Sequence, residues 1–343
     1  MVVGHRFRLI NAAANHLYYA LAGTVSNQAA IIRASPNLLN SRLPPRRLRW
    51  PDLAMLAKLG AKCCCTRYGV AVGMMKTKYF HVLKVGIQNN LTYRFNFLVR
   101  TLFGFIPLIA ILYVWRAIFA GKETGAMVGS YTLGEMISYY LLITLVDALT
   151  AVNEDDWQIA ADIKDGNISQ FLLKPVDYLT FRLCLFFSGR LTYLAVAALP
   201  LVVFFVCLHQ YLVPPSTASA FAWFLISIAL TALLQFFMSY TMAMLAFWVL
   251  EVSTFIFILF AFEYIASGHL FPLDILPPTL QRIMQFTPFP YQLFFPVSIY
   301  MGKVTGLQLL AGLATQIFWV IAMYALARLA WGRGIRKYAA VGG

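Results

Sequence analysis

From about residue 98 onward the chain alternates long apolar stretches with short polar or proline-bearing intervals. A hydrocarbon core of about 30 Å needs roughly 20 apolar residues per helix. Six stretches are candidates, at about 98–118, 133–152, 191–213, 219–245, 253–271 and 307–331. The first is framed by Arg100 and Arg116, whose long stems can snorkel to the two interfaces. Leu191 to Leu250 carries no formal charge and is too long for one helix, so Val213-Pro214-Pro215-Ser216 divides it. Ahead of the first span, Tyr79, Leu83, Ile87, Leu91 and Phe95 recur every four residues beside Lys84, Gln88 and Thr92. That pattern predicts an amphipathic lead-in helix on the inner membrane surface, the plainer alternative being an extension of the first span into water. The expected fold is all-α: a polytopic membrane protein with six transmembrane helices.

Composition agrees. Of 343 residues, 61% are hydrophobic and 12% charged, where a soluble domain carries about 25% charged; the mean hydropathy is +0.72. The five cysteines, three of them adjacent at 63–65, are too few for a disulfide scaffold, and no second Cys or His cluster stands at ligand spacing, so no metal site is expected. The net charge of +14 is a local feature, because residues 1–75 hold ten of the 27 Lys and Arg against one acid, Asp52. A nucleic-acid partner is therefore not expected. The 1–75 extension leaves several readings: a polybasic membrane-surface arm, a nucleic-acid tail, a metal site at Cys63-Cys64-Cys65, or a disordered extension or upstream translation ahead of a start at Met74 or Met75. The last is preferred, since the patterned chain begins at Lys76. Lys and Arg near the span ends divide thirteen against four. That bias puts both termini in the cytoplasm and requires an even number of spans.

Two connections stand out. Residues 153–188 hold six of the twelve acids that follow the extension. Asn153 can cap a helix whose first turn, Glu154, Asp155 and Asp156, complements the dipole, and Gly166-Asn167 supplies a stop. The product is a helix of about 12 residues, near 18 Å, with Trp157, Ala160 and Ala161 on one side and acids on the other. Its size suits a groove in a soluble partner; a solvated polar loop is the plain alternative. On the opposite side Pro272, Pro277, Pro278, Pro288, Pro290 and Pro296 fall among Phe271, Phe286, Phe289, Phe294 and Phe295. This is too apolar for an exposed loop and too proline-rich for a span. It predicts re-entrant pieces covered by protein, and an outer gate at Phe271, Pro272, Pro277, Pro288 and Pro290.

Signatures of catalysis are missing. There is no GxxxxGK[ST] loop, Gly69 to Lys76 lacking the spacing, and neither GxSxG nor HExxH occurs. Asp155, Asp156, Asp162 and Asp165 imitate one diphosphate-binding cluster of a prenyltransferase, but the second cluster such a site needs is not in the sequence.

The ordered set of lead-in helix, two spans, the loop Asp162-Ile-Lys-Asp-Gly166-Asn-Ile-Ser-Gln-Phe-Leu-Leu-Lys174-Pro175-Val-Asp177, four spans, Gly268-His-Leu-Phe-Pro-Leu-Asp-Ile-Leu-Pro277 and Thr287-Pro-Phe-Pro290 resembles the permease subunit of type-two ABC exporters over about residues 76–338. The resemblance lies with the bacterial group that includes drug and viologen exporters. It implies a permease domain over 76–343 in the bacterial cytoplasmic (inner) membrane, paired with an identical or related permease and with two copies of a separate ABC ATPase. ATP and magnesium would sit on that ATPase and no cofactor in this chain, which itself catalyses nothing. The resemblance further implies coupling through loop 153–188, with Asp155, Asp156, Trp157, Asp162, Lys164 and Gly166 as partner contacts.

Acids inside spans cost roughly 2.5–3.5 kcal/mol at the centre and are functional candidates by default. Asp147 lies near the inner end of the second span and Glu263 near the middle of the fifth, while Glu135 falls at the outer interface. Asp147 and Glu263 are thus candidates for the substrate pathway. Among Phe257, Phe260, Phe262 and Tyr264, Glu263 can hold a lipophilic cation through charge and cation–π attraction. An interhelical hydrogen bond or a protonated structural acid is the alternative role. The competing function is a proton-coupled secondary transporter relaying through Asp147 and Glu263, which has no use for a capped loop helix.

Overall fold

The computed structural model describes residues 78–92, 94–121, 127–152, 155–249 and 251–338. The 1–75 extension, with Met74 and Met75, lies outside the described residues, as do Asn153 and Glu154. Apart from an isolated bridge between Val128 and Tyr131, the described chain is helical and holds no strand.

The lead-in pattern forms helix α1 over 78–92. Then come α2 (Arg94–Ala120), α3 (Leu133–Thr150), α4 (Asp155–Lys164), α5 (Ile168–Leu172), α6 (Tyr178–Cys207), α7 (Ala218–Ala243), α8 (Ser253–Ala266), α9 (Pro278–Gln285), α10 (Phe294–Tyr300) and α11 (Gly306–Lys337). Five segments are long and apolar enough to cross a bilayer: Phe97–Ala120, Leu133–Thr150, Tyr178–Phe204, Ala218–Phe247 and Gly306–Lys337.

Helix starts follow local chemistry. Thr132 opens α3 with a capping box: the Thr132 amide donates to Glu135 Oε2 at 2.8 Å, and the Glu135 amide to Thr132 Oγ1 at 3.4 Å. Glu135 thus satisfies a helix end. At α6 the Thr180 amide donates to Asp177 Oδ2 at 3.0 Å, so the helix starts at Tyr178. The third span was expected from residue 191. It begins thirteen residues earlier because the charge of Arg182 is paired rather than left facing lipid.

The fifth stretch also differs from its expected 253–271. It is helical over 14 residues, Ser253–Ala266, or about 21 Å at 1.5 Å per residue. Gly268, at φ +88°, ends it by turning the chain against the Tyr139 hydroxyl and Phe294, and a 3₁₀ turn follows at Leu273–Ile275.

The core gathers on α3, α7, α10 and α11. Tyr139, Leu141, Ile143, Phe236, Tyr240 and Val297 are buried there, and α7 packs along α10 and α11. Gln316 of α11 is buried among them with both ends of its amide bonded. Ser227 Oγ donates to its Oε1 at 3.0 Å, while its Nε2 donates to the Ser227 carbonyl at 3.1 Å and the Tyr291 carbonyl at 2.9 Å. Leu102, Phe103 and Ile106 of α2 and Phe257 and Ile258 of α8 are exposed, as side chains in contact with lipid would be.

Candidate functional site

Three sets of residues converge in the bundle: a short helix at one end, an interior cavity, and a proline-rich segment at the other end.

At the first end, Asp155 opens α4 and Gly166, at φ +76°, follows its end. Ile159, Ala160 and Ile163 are buried, packed toward α7 and the 3₁₀ turn Met244–Phe247. Trp157 is 45% exposed, and Ala161 and Lys164 share its outward stripe at i+4 and i+7. The expectation that Trp157, Ala160 and Ala161 share one apolar face is therefore corrected. The isoleucines bury more area than Ala161 and take Ala160 inward with them, leaving Trp157 and Ala161 outside.

Asp162 faces the bundle. It pairs with the buried Arg182 and accepts from the Tyr178 hydroxyl at 2.8 Å, while Arg182 Nε donates to that hydroxyl at 2.9 Å. The same end is tied to α11. Arg328 Nη1 lies 2.5 Å from Asp177 Oδ1, Trp331 stacks on Tyr178, and the Tyr338 hydroxyl donates to the Gly166 carbonyl at 3.1 Å. Burial works against the charged form of Asp177, but hydrogen bonds from Arg328 and Thr180 outweigh it and hold the carboxyl below its ordinary range.

The cavity, about 710 Å³, lies among α2, α3, α6, α7 and α8. Asp147, near the end of α3, and Glu263, near the end of α8, both line it, so the two acids singled out in the sequence meet in one space. Asp156, Arg190 and His269 line it too. Glu263 faces the Gln292 amide and feels the Asp147 charge.

The aromatic cage expected around Glu263 is only half present. Phe260 and Tyr264 line the wall, but Phe257 and Phe262 do not, because successive helix positions point different ways. Sequence reading missed Gln235 and Gln292. Both are buried in the wall, and the Oε1 atom of each has no hydrogen-bond partner. Uncharged amides in apolar stretches carry no sequence signal of their own. Among the described residues no cluster of His, Cys, Asp and Glu is arranged to hold a metal ion.

At the far end Pro272, Pro288 and Pro290 are buried, Phe271 is half-buried and Pro277 is exposed. The segment is held to α3 by Tyr139, whose hydroxyl donates to the Gly268 carbonyl at 2.6 Å, and by Tyr140, whose hydroxyl donates to the Leu270 carbonyl at 2.7 Å. Lys303 adds a clasp: its Nζ sits over the Tyr131 ring at 2.9 Å, donates to Ser130 Oγ at 2.8 Å and lies 3.7 Å from Asp274. Burial draws the Lys303 ammonium below its usual range against the pull of Asp274 and Glu135. His269 and Leu270 line the cavity, so this segment forms part of its wall.

A comparison with curated proteins returns no match. The family model described as ABC-2 family transporter protein matches residues 95–342, a stretch that includes α4, the cavity and the proline-rich segment. A multi-pass helical bundle around a largely apolar cavity with charged groups in its wall suits a permease, the transport component of an ABC transporter rather than a catalyst, and the length of the match makes the conclusion plain: this chain belongs to the ABC-2 family of transporter proteins.

Proposed function

We propose that the chain is the membrane-spanning permease subunit of an ATP-driven exporter in the bacterial cytoplasmic membrane. It would act with a second permease, identical or related, and two copies of a separate ABC ATPase. In this reading α8 is a sixth, short crossing, both termini are cytoplasmic, and the α4 end faces the cytoplasm. The charge bias of thirteen against four supports that orientation.

The observation that carries the proposal is the construction of α4. Its inner face is anchored by Ile159, Ala160, Ile163 and the Asp162–Arg182 pair, while Trp157, Ala161 and Lys164 are left outward. A helix so held would transmit a push into α6 and α7 through its inner face and receive it on its outward stripe. ATP binding would close the ATPase pair, shift α4 and open the cavity outward past the proline-rich segment; hydrolysis would reset it. Asp147 and Glu263 then belong to the substrate pathway, and Phe271, Pro272, Pro277, Pro288 and Pro290 to the outer gate. Contact with the ATPase falls on Trp157, Ala161 and Lys164 together with Asp155, Asp156 and Gly166. Asp162 serves from behind by holding α4 in place.

The test is affinity capture of the tagged chain from native membranes. A subunit carrying a GxxxxGK[ST] loop is expected to co-purify, and Ala161→Glu is expected to release it with the permease still folded. Capture of the permease without any nucleotide-binding subunit would contradict the proposal.

A further inference from the structure

We propose that the cavity recognises a protonated amine on an apolar body, with N–H donors to the Gln235 and Gln292 amide oxygens and charge pairing to Glu263. The inference rests on reading the cavity as the substrate pathway.

It starts from an imbalance in the wall. Gln292 is 0% and Gln235 7% exposed, both line the cavity, and the Oε1 atom of each accepts no hydrogen bond. A buried carbonyl left unmet is costly. Of the seven buried side-chain atoms left unmet among the described residues, three share the cavity wall, on Gln235, Ser239 and Gln292; Gln316, equally buried but outside that wall, is satisfied at both ends. The two oxygens therefore mark a place where donors arrive from elsewhere. Glu263 stands beside Gln292, and Asp147, Asp156 and Arg190 line the same space, so carboxylates outnumber the one arginine in the wall.

An ammonium group brings one positive charge and up to three N–H donors, which matches one carboxylate and two amide oxygens. A quaternary ammonium brings the charge without donors and would leave both amides unmet. Its usual receptor is an aromatic cage, and here Phe257 and Phe262 stay out of the cavity wall. A neutral alcohol brings a donor without charge and would leave Glu263 unpaired. An anion meets three carboxylates and two amide oxygens against the single Arg190, and is repelled on balance. The remaining wall, with Phe105, Ile111 and Ile256, takes the apolar body.

The test measures binding to the purified full-length permease in lipid nanodiscs of three probes sharing one body: 4-phenylbutylammonium, its N,N,N-trimethyl analogue, and 4-phenylbutanol. The ammonium is expected to bind at least about tenfold tighter than either, a modest ratio beside the ~10⁴ reached by sites built to hydrogen-bond their substrate. Gln235→Leu with Gln292→Leu is expected to erase the preference for the ammonium over the trimethyl probe. Glu263→Gln is expected to weaken both cations and leave the alcohol unchanged. A smaller ratio on the unaltered protein, or no binding of the ammonium, overturns the proposal whether or not the variants fold. So does a preference that survives loss of both amides. Because binding is read on the permease alone, selective ammonium binding without ATPase capture would sustain this inference and sink the transport reading, and the reverse result would do the opposite.

Discussion

Arg182 is the residue on which the α4 end turns. It is buried, bonded to the Tyr178 hydroxyl and paired with Asp162, so removing it leaves a partly buried carboxylate without its counter-ion. Arg182→Met is expected to cost about 3 kcal/mol, the lower end for breaking a buried pair because Asp162 keeps some solvent. The check is thermal unfolding in detergent, and Asp162→Asn should also destabilise, because it leaves the more deeply buried Arg182 without its counter-ion. Asp177 gives a pH signature. Its carboxyl is held low in the folded protein by Arg328 and Thr180 despite burial. The stability it contributes is therefore complete above the unfolded carboxylate pKa, near 4, and is lost as pH falls through the lower folded value. Melting temperatures taken between pH 6 and pH 3 should fall more steeply for the unaltered chain than for Asp177→Asn, which keeps a capping oxygen but not the ion pair. Parallel curves would remove Arg328–Asp177 from the stability of this end.

Elements divide into those whose rules are local and those that depend on a distant contact. The stop after α4 was legible because Gly166 needs its positive φ whatever surrounds it, and the spans now formed by α2, α3 and α11 because twenty apolar residues leave few alternatives. The start of α6 was not, since its neutralised charge at Arg182 depends on Asp162, twenty residues away in sequence. The end of α8 was hidden for the same reason: Gly268 turns there against Tyr139 and Phe294, which lie far off in the chain. Gly268→Ala places a Cβ 2.7 Å from the Tyr139 hydroxyl at a left-handed φ, and should cost about 2 kcal/mol from the backbone alone. It should also loosen the hold of Tyr139 on the Gly268 carbonyl, read as faster hydrogen exchange over 268–276. Unchanged exchange and stability would mean that the proline-rich segment is not held from α3. Within the cavity, Asp147 and Glu263 could be found from sequence because charge inside an apolar stretch is conspicuous. Gln235 and Gln292 acquire meaning only once burial shows that their oxygens are unmet.

At the scale of the whole molecule, the bundle places a largely apolar cavity with charged groups in its wall between an anchored helix at one end and a clasped, proline-rich segment at the other. Tyr178, Arg182, Asp177, Trp331 and Tyr338 join α4 and its neighbours α5 and α6 to α11, the contacts through which the proposed mechanism would pass a displacement of the short helix to the longest one. In the proposed function the outward stripe of α4 receives force from a nucleotide-driven partner. The most direct measurement is photo-crosslinking in native membranes from a benzophenone side chain introduced at position 161, with position 310 of α11, an exposed leucine on a spanning helix, as the comparison. An adduct with a nucleotide-binding subunit from position 161, and none from position 310, is the expected result. Adducts from position 161 with lipid alone, or with no nucleotide-binding protein, would contradict it.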